Sequence, residues 1–476
     1  MMTKIILLGL LISFVNIHGQ EIHINNDVNS SIERLDIEYW DDTYYQYKLV
    51  NNIPFQYNKQ KNNYHFNPIY VTYFLKNYRV LYEKTKKIKY INYAKIILEA
   101  SMIKSENISY EGVNSIIFPY EANRFVSRMF HKHYSGLTQG YFLKESAKLY
   151  ELTGEEYFKD IAIKFYNSLV IPINKGGVMY HYDKYYAIAE VPTVPHGWIL
   201  NGWLSSISSM ITANEILKNK EISIFIKKNI YTLEHVIEKF DVSALKNSRY
   251  NLTQFFYFKL LVKEYKIKSI KFEYQYEDPV YIKPSIKYID NSTKFNKFSR
   301  WEFFVAMKHD LKFDNKIFYG HKYILFNGVL SSVSEYNRIV IDFENKINSV
   351  NEVDFLIYTG SYDPLKSSPT NLEWVNIAKQ NMILKNNKLI INIINKELNH
   401  IVGYPTNFIK KLKNGRYNAY HDIHINRLYD LGKKFKSKKL LYFANKFFDY
   451  RQQWDHTDIY QQLFKNNKVI LNDISQ

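Results

Sequence analysis

The sequence predicts an α+β, multidomain fold: paired helices form an α/α toroid, that is an incomplete α/α barrel, and a β-sandwich-like domain precedes the last pair. Three observations predict it. Over residues 67–269 apolar side chains recur at helical spacing, with short turns between one stripe and the next. Over 270–405 the spacing changes to strand-like alternation and β-branched runs. Over 406–476 helical spacing returns, and the simplest architecture folds those helices back onto the first block, which makes the sandwich an insertion. Periodicity alone does not separate a toroid from an open solenoid. A length of 476 residues accommodates two or three domains, each with a core of its own.

Residues 1–19 read as a secretory signal peptide. Lys4 supplies a basic start, Ile5 to Val15 an apolar core and Gly19 a small residue at the expected cut. A membrane-spanning helix needs roughly 20 apolar residues, more than this run provides, and no later stretch is long enough. The mature chain is therefore expected to be secreted or periplasmic, without a membrane span. Residues 20–66 form an N-terminal segment with no distinctive pattern. In the helical block Tyr93, Ile96, Ile97 and Ala100 fall at i, i+3, i+4 and i+7, and Phe158, Ile161, Ala162, Phe165 and Leu169 repeat the spacing. Gly154 between two such stripes suits a helix end. In the strand block Val353, Phe355 and Ile357 alternate with their neighbours, and Lys385-Asn386-Asn387-Lys388 reads as a hairpin turn. In the last block Leu440, Phe443, Ala444, Phe447 and Phe448 share a helical face.

Composition narrows the chemistry. The chain has no cysteine, which excludes disulfides, thiolate metal sites and a cysteine nucleophile. Export without disulfides fits a bacterial periplasm or exterior best. A net charge of +18 draws polyanions. Nucleic acid is not the expected partner, because the chain is exported and has no recognition helix, Cys/His finger or RNP-type motif. An acidic polysaccharide fits, and 43 tyrosines and 6 tryptophans supply flat faces and phenol donors suited to sugar rings. No strand-glycine-helix fingerprint points to nicotinamide or flavin, so no cofactor is expected. Structural carboxylates leave room for a calcium ion, although no EF-hand-like loop is present.

Four clusters stand out between the helices. The first runs from Phe130 to Gly140 and contains Gln139. The second joins Lys175-Gly176-Gly177-Val178-Met179-Tyr180 to the run Glu190-Val191-Pro192-Thr193-Val194-Pro195-His196-Gly197-Trp198-Ile199-Leu200-Asn201-Gly202-Trp203. The third is Ser248-Arg249-Tyr250-Asn251-Leu252, and the fourth runs from Tyr420 through His421 and His424 to Arg427 and Leu428. The glycine turn, the proline-flanked run and the last two clusters resemble, in the same order, the motifs of the D-glucuronyl C5-epimerase C-terminal domain. The resemblance spans roughly Tyr134 to Trp454 with the strand block skipped. In the animal enzymes of that family the β modules lie before the helical domain rather than inside it.

The resemblance implies an isomerase that inverts C5 of uronate residues in a polysaccharide such as a heparosan-like glycosaminoglycan, interconverting D-glucuronate and L-iduronate. It also implies a homodimer. By position Glu190, Tyr250 and Tyr420 correspond to the family's proton-transfer residues. Removing a hydrogen next to a carboxylate leaves an enediolate, which needs nearby cations or hydrogen-bond donors. Arg249, Arg427, His421 and Lys175 are close in sequence to these groups. Asn201, Trp198, Gln139 and Tyr180 complete the expected substrate contacts. Two positions differ from the family: Val191 stands where a tyrosine precedes the first proline, and Thr253 replaces an arginine that Arg249 can replace in turn. The segment Asp183 to Ala189 is an insertion that lengthens the loop. Bland roles stand beside these. Trp198 and Trp203 are suited to a core as well as to sugar stacking. His421 and His424, at i and i+3, fit packing or hydrogen bonding better than a metal site. A polysaccharide lyase, which begins with the same C5 proton abstraction and continues by β-elimination, is the nearest alternative reading. A non-catalytic glycan-binding protein is the other.

Overall fold

The computed structural model describes residues 47–58, 62–121, 129, 131–243, 246–261, 266–282, 287–288, 318–320, 323–361, 370–394 and 419–457. The expected signal peptide, residues 1–19, lies outside them, as do 20–46 of the N-terminal segment and 395–418. The chain divides into two compact units, Met1–Ser105 and Glu106–Gln476.

In the first unit three antiparallel strands, β1 (Tyr47–Val50), β2 (Ile53–Asn58) and β3 (Asn63–Phe66), precede the helix pair α1 (Pro68–Thr85) and α2 (Ile88–Ser101). Pro68 sits in the first turn of α1, where a missing N–H costs nothing. The helix ends at Lys86, in the left-handed region at φ 57°, whose N–H bonds the Tyr82 carbonyl. On α2 the buried line is Ile91, Ala94, Ile97 and Leu98. It is rotated from the stripe the spacing suggests: Tyr93 is only half-buried, its ring edge-on to Tyr78 at 5.4 Å. The correction has a simple cause, since a tyrosine counts as apolar in a periodicity but its hydroxyl favours the margin.

In the second unit helices stand on both sides of a sandwich in sequence. Among the described residues they are α3 (Gly136–Thr153), α4 (Glu156–Leu169), α5 (Leu200–Leu217), α6 (Lys220–Val236), α7 (Ala419–Phe435) and α8 (Lys438–Gln453). Helix α3 packs on α4 and α5, α5 on α6 and α7, and α7 on α8. Gly154 closes α3 at φ 72°, donating its N–H to the Tyr150 carbonyl. On α4 Phe158, Ile161, Ala162, Phe165 and Leu169 are all buried, and Phe142 stacks between Phe118 and Phe165 at 4.2 and 5.0 Å. Helix α7, which follows the sandwich, lies against α5, which precedes it.

Six strands, in the order β15 (Lys287–Tyr288), β16 (Phe318–Gly320), β17 (Tyr323–Ser331), β12 (Thr253–Leu261), β19 (Asp354–Ser361) and β20 (Thr370–Asn376), form one sheet. Five strands, β14 (Val280–Ile282), β13 (Ile267–Tyr274), β18 (Tyr336–Phe343), β22 (Lys388–Ile394) and β21 (Met382–Lys385), form the other. The two share one core. Phe258 of the first sheet stands 5.3 Å from Phe326 and 5.6 Å from Phe355 beside it, and 5.7 Å from Phe272 across the core. Gly328 lies under Phe272, whose ring occupies the place of any Cβ there. The β21–β22 turn is the two-residue hairpin expected: Asn386 and Asn387 both have positive φ, 51° and 60°, and Lys385 pairs Lys388.

The strands begin earlier than residue 270. β12 and the first three residues of β13, Ile267 to Ser269, occupy positions that the sequence reading assigns to the helical block. Phe256, Phe258 and Leu260 are buried at period two, but Phe255 and Tyr257 between them are also apolar, which hides the alternation. Among the described residues no helix is long and apolar enough to cross a membrane.

Phe272→Ala is expected to cost about 3–5 kcal/mol in urea unfolding, as for other buried phenylalanines. Gly328→Ala alone is also destabilising, and the double variant loses less than the sum of the two, because the smaller residue 272 vacates the space the new methyl group needs.

Candidate active site

The site begins at a hairpin. Strands β8 (Met179–Tyr182) and β9 (Tyr185–Ile188) pair antiparallel, and the bonds from Ala189 N to Val178 O (2.8 Å) and from Gly136 N to Ala189 O (2.9 Å) deliver the chain to Glu190 at the root of α3. The proline-flanked loop then folds on itself, with Thr193 Oγ1 donating to the Pro195 carbonyl at 3.0 Å. Trp198 has φ 52°, a conformation that costs a bulky residue energy and persists only when its surroundings impose it. Those surroundings are visible. Leu200 N donates to the Tyr250 carbonyl (3.0 Å), and Leu252 N donates to the Gly197 carbonyl (3.3 Å). The proline loop and the Arg249–Leu252 segment are thereby laid side by side, with the Thr253 hydroxyl donating to the same Gly197 carbonyl at 3.4 Å.

Glu190, Tyr250 and Tyr420 meet in this region. Glu190 leans on α5 at Gly202, and a methyl group there would overlap its carboxyl oxygen. Asn201 Nδ2 lies 3.5 Å from Glu190 Oε2. Burial pushes the Glu190 carboxyl up to about 7. Tyr250 is held well above 10, first by burial, then by the charge of Glu190 and by Tyr420. The Tyr250 and Tyr420 rings are 4.8 Å apart and inclined at 55°. Tyr420 lies in the first turn of α7, and Arg427, half-buried, is two turns further along that helix.

Beneath the two phenols is a buried polar set joining β11 (Asn247–Ser248) to α7. His421 Nε2 donates to the Phe447 carbonyl (2.8 Å), so its Nδ1 is the acceptor for the Ser248 N–H (3.1 Å) and hydroxyl (2.7 Å). The Ser248 oxygen accepts in turn from His424 Nδ1 at 2.7 Å. Burial lowers both imidazoles, His421 to about 3, so they are neutral spacers. The pair at i and i+3 therefore serves hydrogen bonding. Arg249 is buried beside this set, its N–H bonded to the Phe240 carbonyl at 2.8 Å. Asp422, also buried, pairs with Arg451 at 3.0 Å.

A second carboxyl, absent from the sequence reading, comes from the sandwich. Glu277 accepts from the Trp198 indole N–H (3.3 Å) and from the His196 backbone N–H, and burial raises it to about 8. Tyr180 closes this group: its hydroxyl donates to the Tyr276 carbonyl (2.5 Å), and its ring lies 4.7 Å from Trp198 and 5.0 Å from His196. No spacing rule marks Glu277, which follows a strand in an ordinary polar turn and meets the loop only through tertiary packing.

Several expected substrate contacts are enclosed by protein. Gln139 is fully buried, bonded to Phe118 N, the Ile116 carbonyl and Ser168 Oγ, so it ties α3 to α4 and β5 (Val113–Ile117). Trp198 is 1% exposed, with Tyr180, His196 and Trp203 against its ring, which makes it a loop anchor rather than a sugar-stacking face. His421 has no exposed surface, and Tyr180 is spent on Tyr276 and Trp198. Lys175 is exposed on the one-turn helix Ile173–Lys175. Asn201 is the expected contact that stands next to Glu190. Among the described residues no group of three or more His, Asp or Glu is placed to hold a metal ion.

A carboxyl near neutrality beside two phenols is a set of groups able to take and return protons. Residues 111–272 match the family model described as D-glucuronyl C5-epimerase C-terminus, and Glu190 and Tyr250 fall inside that range. The family resemblance of the motifs holds over this segment. No match was found among curated proteins.

Burial raises Glu190 and Glu277 above the ordinary carboxyl value of 4.5, so the folded chain keeps protons that the unfolded chain has lost. Unfolding free energy should therefore fall as pH climbs from about 4.5 to about 8, by at most about 1.4 kcal/mol per unit for each carboxyl. Urea midpoints at a series of pH values measure the slope, and Glu277→Gln should flatten its upper part.

Proposed function

We propose that the protein is a uronate C5-epimerase of an acidic polysaccharide, interconverting D-glucuronate and L-iduronate residues in a heparosan-like or related glycan. The observation that carries the reading is the meeting of Glu190 and Tyr250, inside the segment 111–272 that matches the family model, with Tyr420 from outside it. Helices α3–α8 make up the incomplete α/α toroid of this reading. Export after removal of residues 1–19, and the homodimer implied by the resemblance, belong to it as well.

The reaction needs a base on one face of the sugar ring and an acid on the other. Glu190, ionised above about pH 7, takes the C5 hydrogen as a proton. The C–H electrons pass into the adjacent carboxylate as an enediolate, which Asn201 Nδ2 and the phenol hydroxyls stabilise as hydrogen-bond donors. Tyr250 or Tyr420, kept protonated, returns a proton to C5 from the opposite face. Burial of Tyr250 serves this role, because a phenol that resists ionisation remains a donor at every physiological pH. A positive surface, +18 overall, concentrates the polyanion.

Incubation with uronate polymers in deuterated water tests the reading. Deuterium at C5 without chain shortening is the expected result. Unsaturated end groups would make the enzyme a lyase, and binding with neither change would make it a glycan-binding module. Glu190→Gln and Tyr250→Phe should each lower exchange by about 10²-fold or more, the usual contribution of a positioned acid or base. Gly202→Ala leaves all three groups in the chain but crowds Glu190, and should lower kcat too. Exchange at the wild-type rate in Glu190→Gln would remove the assignment.

A further inference from the structure

The segment Asp183 to Ala189, which lengthens the loop relative to the family, builds a surface of its own. Tyr185 stacks on His235 of α6, with ring centroids 4.7 Å apart and planes inclined at 28°, and its hydroxyl is 3.1 Å from His235 Nε2. It also lies near-parallel to Tyr231, at 6.1 Å and 21°. Tyr186 stacks on His181 at 4.2 Å, and its N–H donates to Thr232 Oγ1 at 2.7 Å, which fastens the hairpin to α6. The rings are not a core: Tyr231 is 46% and Tyr182 39% exposed, and His181 and His235 are exposed as well.

Cations accompany them. Lys184 lies 5.7 and 5.8 Å from the Tyr185 and Tyr231 ring centroids, and Lys228 lies 4.2 Å from that of Tyr186. Among the described residues neither lysine is joined to a carboxylate by an ion pair, so rings rather than counter-charges hold both ammonium groups at the surface. Exposed rings offer faces to the C–H side of a pyranose, and ammonium groups beside them match carboxylates repeated along a polymer.

The surface also leads to the site. β9 carries Tyr185 and runs on through Ala189 to Glu190, a stretch that an extended chain covers in about 17 Å. On its other side Tyr185 is edge-on to Tyr276 at 5.9 Å, next to Glu277, which holds Trp198. We infer that Tyr182, Lys184, Tyr185, Lys228 and Tyr231 form an accessory subsite that binds the anionic polysaccharide several sugars away from the reacting residue. The inference rests on the polysaccharide reading of the site but not on the epimerisation step.

The test uses the full mature chain and heparosan as the probe, with a heparosan tetrasaccharide and a neutral glucan as comparisons. In Tyr231→Ala and Lys184→Ala, both surface changes whose folding is checked by circular dichroism, the ratio of polymer KM to tetrasaccharide KM should rise about tenfold. Affinity electrophoresis in heparosan-containing gels, run on Glu190→Gln and on the same protein with Tyr231→Ala added, should show retardation that the second change weakens. Unchanged KM ratio and unchanged retardation would overturn the subsite while leaving C5 exchange, and with it the reaction, intact. Retardation that depends on Tyr231 in a wild-type protein that exchanges no deuterium would support the subsite and remove the epimerase reading. Equal retardation by the neutral glucan would overturn the anionic specificity.

Discussion

The site depends on two backbone hydrogen bonds, from Leu200 N to the Tyr250 carbonyl and from Leu252 N to the Gly197 carbonyl. They place the proline loop in register with the Arg249–Leu252 segment, and the Thr253 hydroxyl adds a bond to the same Gly197 carbonyl. Glu190 is set at one end of that seam by Gly202, and Tyr250 lies at its middle. The Ser248 hydroxyl then fixes α7 from below through His421 and His424, and this brings Tyr420 to Tyr250. Backbone amides cannot swing as side chains do, so the register of the two segments is set by the main chain rather than by side-chain rotamers.

Burial does most of the electrostatic tuning. Desolvation dominates the shifts of both Glu190 and Glu277, and no cation contributes to either. The two carboxyls differ in what they accept. Glu277 receives two N–H donors from the loop it steadies, whereas among the described residues the hydrogen-bond partner of Glu190 is Asn201, at 3.5 Å. A carboxyl engaged by fixed donors suits a structural clasp. The same enclosure keeps His421, His424 and His196 neutral, so these imidazoles add no charge, and those of His421 and His424 add directed hydrogen bonds.

Much of this was legible in the residues. The stripe from Phe158 to Leu169, the Asn386-Asn387 turn and the alternation about Phe355 follow directly from period and turn chemistry. The motif order drew attention to Glu190, Tyr250 and Tyr420, which the fold brings together. Three things were not legible. The start of the sandwich was masked because the run Phe255 to Phe258 is aromatic at every position. The enclosure of Gln139, Trp198 and His421 depends on neighbours from other segments, and a polar or aromatic side chain reads alike whether it faces a ligand or a backbone carbonyl. Glu277 and Ser248 act only through partners distant in sequence, 79 residues for Trp198 and 173 for His421, and no local rule reaches that far.

The sandwich stands between Tyr250 and Tyr420 in the chain, while their rings touch in the folded protein. On the ribosome, Glu190 and Tyr250 emerge well before the last helices, and α5 has no α7 to rest on until the whole inserted domain has been made. Formation of the aromatic pair is therefore a late, long-range closure that waits on an intervening body folding with its two ends near each other. A nascent chain therefore carries Glu190 and Tyr250 without Tyr420 for as long as the inserted domain takes to be made.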